Sequence, residues 1–390
     1  MYPRISDFIN HVLGTNINLP IQTYGFFVAL GFLAAGVVVY LELKRKEKEL
    51  LITAQQKPFV KGKPASMAEL TWTGIISFVI GFKLIGLVID YGQFAKNPQE
   101  YILSGKGNIL GGMVIAALFV YLAWRNKDKH KLEKPETKLV TVHPYQLTGN
   151  IVLVAALFGI IGSKLFDVAE HLHDLVRDPI HVLFSFSGLA FYGGLIVAAF
   201  AVSIYAERNK IPWPVIADTV APALILAYGI GRIGCQASGD GCWGVVNLHP
   251  KPGWLSFLPD WAWAFNYPHN VVDEGILIPN CLTDHCHVLG QPVFPTPLYE
   301  TTLAIIIFIV LWVIRKRIII PGVLFAIYLL LNGMERFFIE KIRVNLRYDV
   351  LGFRWSQAEI IAFFLMFLGI AGIFYLRAKN KRKLNLLNKP

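Results

Sequence analysis

Long apolar stretches alternate with short polar segments along the whole chain. The apolar stretches reach roughly 18 residues or more, the length that a helix needs to cross the hydrocarbon core of a bilayer. The alternation therefore predicts an all-α polytopic membrane protein with about nine transmembrane helices. The predicted spans cover about 22–42, 70–92, 108–125, 146–168, 188–206, 213–234, 297–314, 321–341 and 357–376.

Basic residues are concentrated in every second connection of this topology. The segments LKRKEKELLITAQQKPFVKGK, RNKDKHKLEKPETK, RKR and RAKNKRK follow the first, third, seventh and ninth predicted spans. Because cytoplasmic loops are rich in Lys and Arg, we expect the N-terminus outside and the C-terminus in the cytoplasm. The largest connection, about 235–296, then forms an extracytoplasmic cap loop.

The composition agrees with a membrane protein and narrows the classes of function. Hydrophobic residues make up 55% of the 390 residues and charged residues only 16%, and the mean hydropathy is +0.51. Water-soluble domains are usually nearer a quarter charged. The net charge of +11 would suggest a nucleic-acid partner, but the basic loops account for it. Nucleic-acid binding is therefore excluded. The first residues mix polar and apolar types and do not resemble a signal peptide.

All four cysteines fall in the cap loop: Cys235, Cys242, Cys281 and Cys286. On the outer side of the membrane cysteines usually pair, so disulfides are expected. Pairing of Cys281 with Cys286 is favoured over a link between the two halves of the loop. A zinc site built from Cys281, Cys286 and the neighbouring histidines is the alternative, although its spacing fits no common pattern.

An internal repeat starts at Gly81 and again at Gly162. Lys83 matches Lys164, and the later pair Gly111-Gly112 matches a second Gly-Gly pair. Each copy is predicted to be an outgoing helix, a short outer loop and a returning helix. Because both copies run in the same direction, the repeat is a parallel duplication and not the inverted repeat of many transporters.

The repeat and the topology divide the chain into five segments. They are 1–66 with the first span and a basic cytoplasmic loop, 67–130 with an extra helix pair, 131–234 with core helices and the second repeat copy, 235–296 with the cap loop, and 297–390 with the last core helices and a basic tail.

A few charged residues lie where the predicted spans end on the outer side. Arg232 lies near the end of the sixth span, and Arg336, Glu340 and Arg343 share one helical face because they are spaced i, i+4 and i+7. Charges at membrane depth are costly and usually face a cavity or a partner. The spacing predicts a cationic pocket suited to a phospholipid phosphate, since arginine binds phosphate with two parallel hydrogen bonds. The alternative is that these arginines only extend to the membrane interface.

Four motifs resemble one known family. The segment GRIGCQASGDGCWG (231–244) resembles the signature of bacterial prolipoprotein diacylglyceryl transferases, in which Gly-Arg-x-Gly is followed by Asn-Phe-x-Asn-x-Glu and later a Gly. The segments TYGF (23–26), FPTPLYE (294–300) and MERFFIEKIR (334–343) resemble further parts of that family. The resemblance implies a seven-helix core in the bacterial cytoplasmic (inner) membrane, with the active site open toward the outer leaflet.

The resemblance also implies a reaction. The family transfers a diacylglyceryl group from phosphatidylglycerol to the lipobox cysteine of a prolipoprotein and releases glycerol phosphate. By resemblance, Arg232 and Arg336 would hold the lipid phosphate, Glu340 would orient Arg336, Arg343 would lie beside them, and Tyr24 would line the cavity. No metal or other cofactor is expected.

The sequence departs from the family's motifs at the position of its histidine. The family's His-Gly-Gly is Tyr192-Gly193-Gly194 here. A tyrosine titrates near 10 and is a poor base, but Tyr192 could donate a hydrogen bond to the substrate.

Further departures follow the signature arginine. The two asparagines are Cys235 and Ser238, and the glutamate is Asp240, whereas Gly244 matches the closing glycine. Asp240 or a water is expected to accept the proton of the attacking thiol.

Two other classes of function stay open at this point. A membrane transporter would explain charges inside the membrane, and the matched Lys83 and Lys164 are its best support, although either lysine could instead pair with an acid such as Asp90 or Asp167. A non-catalytic phospholipid-binding or assembly protein would explain the replaced histidine.

Overall fold

The computed structural model describes residues 1–96, 98–173, 190–281, 283–345, 347–350 and 353–387, and these residues are mostly helical. The helices are α1 (Ile5–Leu13), α2 (Thr23–Lys48), α3 (Met67–Ile89), α4 (Tyr91–Lys96), α5 (Pro98–Leu103), α6 (Ile109–Lys129), α7 (Thr148–Glu170), α8 (Phe191–Arg208), α9 (Trp213–Ser238), α10 (Thr296–Ile314), α11 (Val323–Glu340) and α12 (Gln357–Leu387). Antiparallel two-stranded ribbons pair β1 (Gln55–Lys61) with β2 (Glu136–Val142), β3 (Ile276–Leu277) with β4 (His287–Val288), and β5 (Arg347–Val350) with β6 (Phe353–Ser356).

Seven of the described helical segments are long and apolar enough to cross a membrane. They are α2, α3, α6, α9, α10, the segment Pro144–Glu170 that contains α7, and Gln357–Arg382 of α12. The other two predicted spans coincide with α8 and α11, which have 18 residues each; residues 188 and 189 of the first lie outside the described residues. The all-α polytopic class is confirmed, whereas the count of nine spans and the orientation remain predictions.

The chain forms two compact units. The first consists of Met1–Ile52, Pro144–Leu157 and Ala198–Pro390, and the second consists of Thr53–His143 and Phe158–Val197. The first unit therefore contains α1, α2, the cap loop and α9 to α12. The second contains α3 to α6 with the β1–β2 ribbon.

Helix α9 is central to the first unit because it contacts α2, α10 and α11. Leu43 of α2 and Ile216 of α9 belong to one buried aliphatic cluster. Ile225 of α9 belongs to another, with Leu311 of α10 and Leu324 of α11. More than half of the most apolar part of α9 is buried, which is the largest buried share among the seven candidate spans.

The cap loop has its own small core and one disulfide. Tyr267 is fully buried against Trp243, and its hydroxyl donates to Oε1 of Gln236 at 2.8 Å. Burial raises the pKa of Tyr267 above its ordinary value, so this hydroxyl stays a donor.

Cys281 and Cys286 are joined by a disulfide, which confirms the predicted pairing and excludes the zinc site that needed both thiolates. Among the described residues, Cys235 and Cys242 are free thiols, so the expectation of disulfides is not met for these two.

The repeated helix pairs of the second unit make the same contact twice. A Cβ on Gly81 in α3 would lie 2.5 Å from Cβ of Ile115 in α6. A Cβ on Gly162 in α7 would lie 2.6 Å from Cβ of Val197 in α8. The matched glycines therefore let the outgoing and returning helices of each copy approach closely, as the internal repeat predicts.

The matched lysines of the repeat each form hydrogen bonds or an ion pair within their own helix pair. Nζ of Lys83 donates to the carbonyl oxygens of Tyr101 at 3.0 Å and of Lys106 at 2.9 Å. Nζ of Lys164 forms an ion pair with Oδ2 of Asp167 at 2.9 Å. These contacts remove the best support for transport, because each lysine has a structural partner in its own helix pair.

Candidate active site

Three arginines converge on one buried carboxylate. Glu300 is fully buried, and its Oε1 accepts hydrogen bonds from Nη1 of Arg336 at 3.2 Å and from Nη1 of Arg343 at 3.1 Å. Its Oε2 forms an ion pair with Nε of Arg232 at 3.1 Å. The three arginine side chains are 13–21% exposed, so they are largely withdrawn from solvent but still accessible. These four residues are the arginine cluster.

Three helices bring the arginine cluster together. Arg232 lies in the last two turns of α9, and Arg336 lies in the last two turns of α11. Glu300 lies one turn after the start of α10, which has Pro297 in its first turn, where the missing N–H costs no helical bond. Under the predicted topology, these helix ends all face the outer side of the membrane.

Glu340 fixes the position of Arg336, as the i, i+4 spacing predicts. Its Oε2 lies 3.3 Å from Nη2 of Arg336. Its Oε1 accepts hydrogen bonds from Oγ of Ser356 at 2.8 Å and from Nδ2 of Asn345. Glu340 is 2% exposed, so it is a buried anchor for the arginine and not a group on the surface.

Tyr228 and Glu335 extend the cluster on the side of α9. The guanidinium of Arg232 lies over the Tyr228 ring, 5.2 Å from the centroid, and the Tyr228 hydroxyl donates to Oε1 of the buried Glu335 at 3.4 Å. Three carboxylates, Glu300, Glu335 and Glu340, therefore accompany the three arginines. The net positive charge expected from the sequence is offset, and any anion bound here meets arginines already held in place.

Gly244 lies in backbone contact with Arg343, which follows the end of α11 and therefore does not continue the helical face predicted for it. The two residues form an antiparallel bridge, and the N–H of Gly244 donates to the carbonyl oxygen of Phe294 at 2.8 Å. The next residue, Val245, donates to the carbonyl oxygen of Ile342 at 2.8 Å. A Cβ on Gly244 would collide with that carbonyl oxygen, so the close approach requires glycine.

The end of α9 carries three further predicted site residues. Cys235 is buried, with its Sγ 3.9 Å from Nη1 of Arg232. Ser238 is also buried, but its hydroxyl donates to the carbonyl oxygen four residues earlier in α9, at 2.8 Å. Asp240 is half-buried, and its Oδ1 accepts from the N–H of Cys242 at 3.2 Å. Cys235 is thus next to the arginine cluster, and the Asp240 carboxylate lies within 4.8 Å of its thiol, whereas Ser238 is engaged by its own helix.

Tyr24 lies at the start of α2, against the end of α9. A Cβ on Gly234 would lie 3.3 Å from Cα of Tyr24. Tyr24 is 47% exposed, and its backbone contacts the turn of α9 that follows Arg232. The structure therefore places this tyrosine beside the arginine cluster, as the resemblance implies.

Tyr192, Gly193 and Gly194 begin α8 and belong to the second unit. A Cβ on Gly193 would lie 2.7 Å from the carbonyl oxygen of Gly162, and a Cβ on Gly194 would lie 2.7 Å from that of Gly159. Both glycines thus allow α8 to pack closely against α7. This packing gives the Gly-Gly pair a structural reason in addition to its expected role in substrate binding.

Three members of the site were not predicted from the sequence. Glu300 ends the FPTPLYE segment, yet no role was expected for it, and Tyr228 and Glu335 were not singled out. An acid at the start of an otherwise apolar predicted span is a costly placement and was the signal available for Glu300. No pattern in the sequence indicates the contact of Tyr228 with Glu335, because they lie on different helices.

The fold and the site define a polytopic membrane protein with an arginine cluster at the ends of its helices, a class suited to anionic lipid substrates. A sequence model of the prolipoprotein diacylglyceryl transferase family matches residues 134–375, which is more than half of the chain. The chain belongs to the prolipoprotein diacylglyceryl transferase family. The matched range begins after α6, so the predicted extra helix pair at 67–130 lies outside it.

Curated relatives give the same family. A protein of Enterococcus faecalis is 30% identical over 236 residues, which cover 58% of this chain and 77% of the relative. A protein of Listeria innocua is 27% identical over 274 residues, covering 70% and 85%, and one of Staphylococcus aureus is 30% identical over 232 residues, covering 59% and 74%. Each is named phosphatidylglycerol–prolipoprotein diacylglyceryl transferase.

Proposed function

We propose that this protein transfers the diacylglyceryl group of phosphatidylglycerol to the lipobox cysteine thiol of prolipoproteins, the first step of lipoprotein maturation. The reaction forms a thioether and releases glycerol phosphate. The observation that carries the proposal is the convergence of Arg232, Arg336 and Arg343 on the buried Glu300. Family membership supports the same activity.

Arg232 and Arg336 hold the phosphate of the lipid. Each guanidinium carries five N–H donors; Glu300 takes one nitrogen of each, and Glu340 takes a second nitrogen of Arg336. The Glu300 carboxylate thus fixes the direction of both side chains and itself occupies only some of the N–H groups that each arginine can offer to the phosphate. Bidentate contacts from two such arginines suit a phosphodiester oxygen pair.

The same arginines stabilise the leaving group. The thiolate sulfur attacks the glycerol carbon that bears the phosphate ester, and the electron pair of the broken C–O bond goes to the phosphate oxygen. Negative charge on the phosphate therefore grows as the reaction proceeds. Prearranged donors in a site shielded from water act most strongly on charge that develops in the transition state. Arg343 contributes a third positive charge to this side, and Glu340 keeps Arg336 in place.

The side of the site nearest the cap loop receives the peptide. Tyr24, Cys235 and Asp240 border the arginine cluster there. Since the predicted topology places this end outside, the site opens toward the outer leaflet, where a secreted prolipoprotein presents its lipobox cysteine. Glycine at position 244 lets the cap-loop backbone close over the cluster.

The proposed activity predicts a specific product. Purified protein given phosphatidylglycerol and a lipobox peptide should yield the diacylglyceryl thioether and an equal amount of glycerol phosphate, both measured by mass spectrometry. The same peptide with serine in place of cysteine should give neither. Lipid binding without either product would favour the non-catalytic alternative, and solute flux into vesicles without product would favour transport.

Tyr192 provides a second prediction, about the role of the residue that replaces the family's histidine. Tyr192→Phe should lower kcat/KM by no more than about tenfold, because a single neutral hydrogen bond contributes roughly 0.5–1.5 kcal/mol. Loss of a general base would cost about 10²–10⁴-fold. A loss in that larger range, measured with the thioether assay, would show that Tyr192 takes the proton from the thiol.

A further inference from the structure

Two thiols and a carboxylate lie together at the end of α9, beside the arginine cluster. Sγ of Cys235, Sγ of Cys242 and a carboxylate oxygen of Asp240 all lie within 4.8 Å of one another. Cys235 is only 5% exposed, and Cys242 and Asp240 are half-buried. Within the described residues, Cys235 and Cys242 are free thiols.

The backbone is arranged to bring these side chains together. Gly239 ends α9 in the left-handed region with φ 67°, and Gly241 follows with φ 84°. These two residues reverse the chain and return Cys242 to Cys235, a path that residues with a Cβ rarely take. The N–H of Cys242 donates to Oδ1 of Asp240 at 3.2 Å and orients its carboxylate.

We propose that Cys235, Asp240 and Cys242 bind a zinc ion whose fourth coordination position takes the lipobox thiol of the substrate. Thiolate and carboxylate are both ligands of zinc, and three protein ligands with one open position are typical of catalytic zinc sites. The oxygen ligand favours zinc over copper(I), which prefers sulfur. This inference rests on the proposed transferase function and replaces the metal-free chemistry expected from the sequence.

The charges around the three side chains fit this assignment. Two thiolates and one carboxylate carry three negative charges, so a zinc ion leaves one in excess, and the bound lipobox thiolate raises the excess to two. Nη1 of Arg232 lies 3.9 Å from Sγ of Cys235, and this guanidinium, which also pairs with Glu300, offsets part of that charge. The same arginine belongs to the cluster assigned to the phosphate. The metal site and the phosphate site therefore adjoin, as attack on a carbon next to the phosphate requires.

Zinc would bring about the removal of the proton from the lipobox thiol, for which this chain lacks the family's histidine. A thiol bound to zinc is deprotonated, so the lipobox cysteine loses its proton to solvent on binding and stays a thiolate. Its sulfur lone pair then forms the S–C bond to the glycerol carbon, and the C–O bond breaks with its electron pair on the phosphate. The thioether product is neutral and a weaker ligand, so it leaves the metal. No oxidant or reductant is needed.

The test uses full-length protein in detergent, freed of metal with a chelator under reducing conditions and then titrated with Co²⁺ as a spectroscopic substitute for zinc. We expect one Co²⁺ per chain with thiolate-to-cobalt charge-transfer absorption. Adding lipobox peptide should increase that absorption because a further thiolate binds, and the serine peptide should not. Cys235→Ser and Cys242→Ser should each weaken Co²⁺ binding by at least about tenfold. The double variant Cys281→Ser/Cys286→Ser, which removes the other cysteines, should bind Co²⁺ as before.

Three other outcomes overturn the inference, and a fourth overturns only the proposed function. A Cys235–Cys242 disulfide in the protein as isolated, seen by peptide mass spectrometry, would mean that the thiols are not ligands. A cobalt spectrum that the cysteine peptide leaves unchanged would mean that the metal does not bind the substrate. Thioether formation that survives complete removal of metal would mean that zinc is not needed. If cobalt binds and responds to the peptide but no thioether forms with zinc, the proposed function fails and the metal site stands.

Discussion

Replacing Glu300 with glutamine should destabilise the protein more than any other single change at the site. The substitution keeps the size of the side chain but leaves Arg232, Arg336 and Arg343 without the carboxylate on which they converge. Removing one partner of a buried ion pair typically costs about 3–5 kcal/mol, because the remaining charge stays buried. The measurement is the midpoint of thermal unfolding in detergent, followed by tryptophan fluorescence.

Asp284→Asn is the matched control. Asp284 is 71% exposed and pairs with Arg4 at 2.7 Å, and an exposed pair of this kind is worth about 0–1 kcal/mol. Its midpoint should stay close to that of the unaltered protein. Adding Arg343→Gln to Glu300→Gln should recover part of the loss, because one uncompensated charge is removed. A Glu300→Gln protein as stable as the control would mean that Glu300 does not hold the cluster together.

The parts of the structure that could be predicted from the sequence are those determined by local spacing. The spans follow from the lengths of apolar stretches, and the ion pair of Arg336 with Glu340 follows from its i, i+4 spacing. The disulfide of Cys281 with Cys286, favoured over a link between the two halves of the cap loop, joins residues only five positions apart in the chain.

The contacts that could not be predicted join residues on different helices. Glu300 contacts Arg232 and Arg343 only because α9, α10 and α11 pack against one another. The spacing of residues along the sequence does not indicate that packing. The missed carboxylates also changed the expected charge of the pocket. Ser238 was expected in the site, but its hydroxyl is bonded within its own helix. A short hydroxyl side chain in a helix readily bonds to its own backbone.

Arg336→Ala should abolish most of the activity while leaving the protein in the membrane. The arginine is fixed by Glu300 and Glu340, so its guanidinium is aimed before the substrate arrives. Removing one prearranged donor to a developing negative charge typically costs about 10²–10³-fold in rate. We expect a loss of that size in kcat for thioether formation, since the phosphate gains charge mainly in the transition state.

Two further variants separate charge from geometry. Arg336→Lys keeps the positive charge but not the planar fork, so it should recover only part of the lost rate. Arg317→Ala removes an exposed arginine from the loop after α10 and should leave the rate unchanged. Full activity in Arg336→Ala would mean that the phosphate binds elsewhere. A rise in KM with kcat unchanged would mean that Arg336 binds the lipid equally in the ground state and the transition state. The arginine would then contribute nothing to the departure of glycerol phosphate.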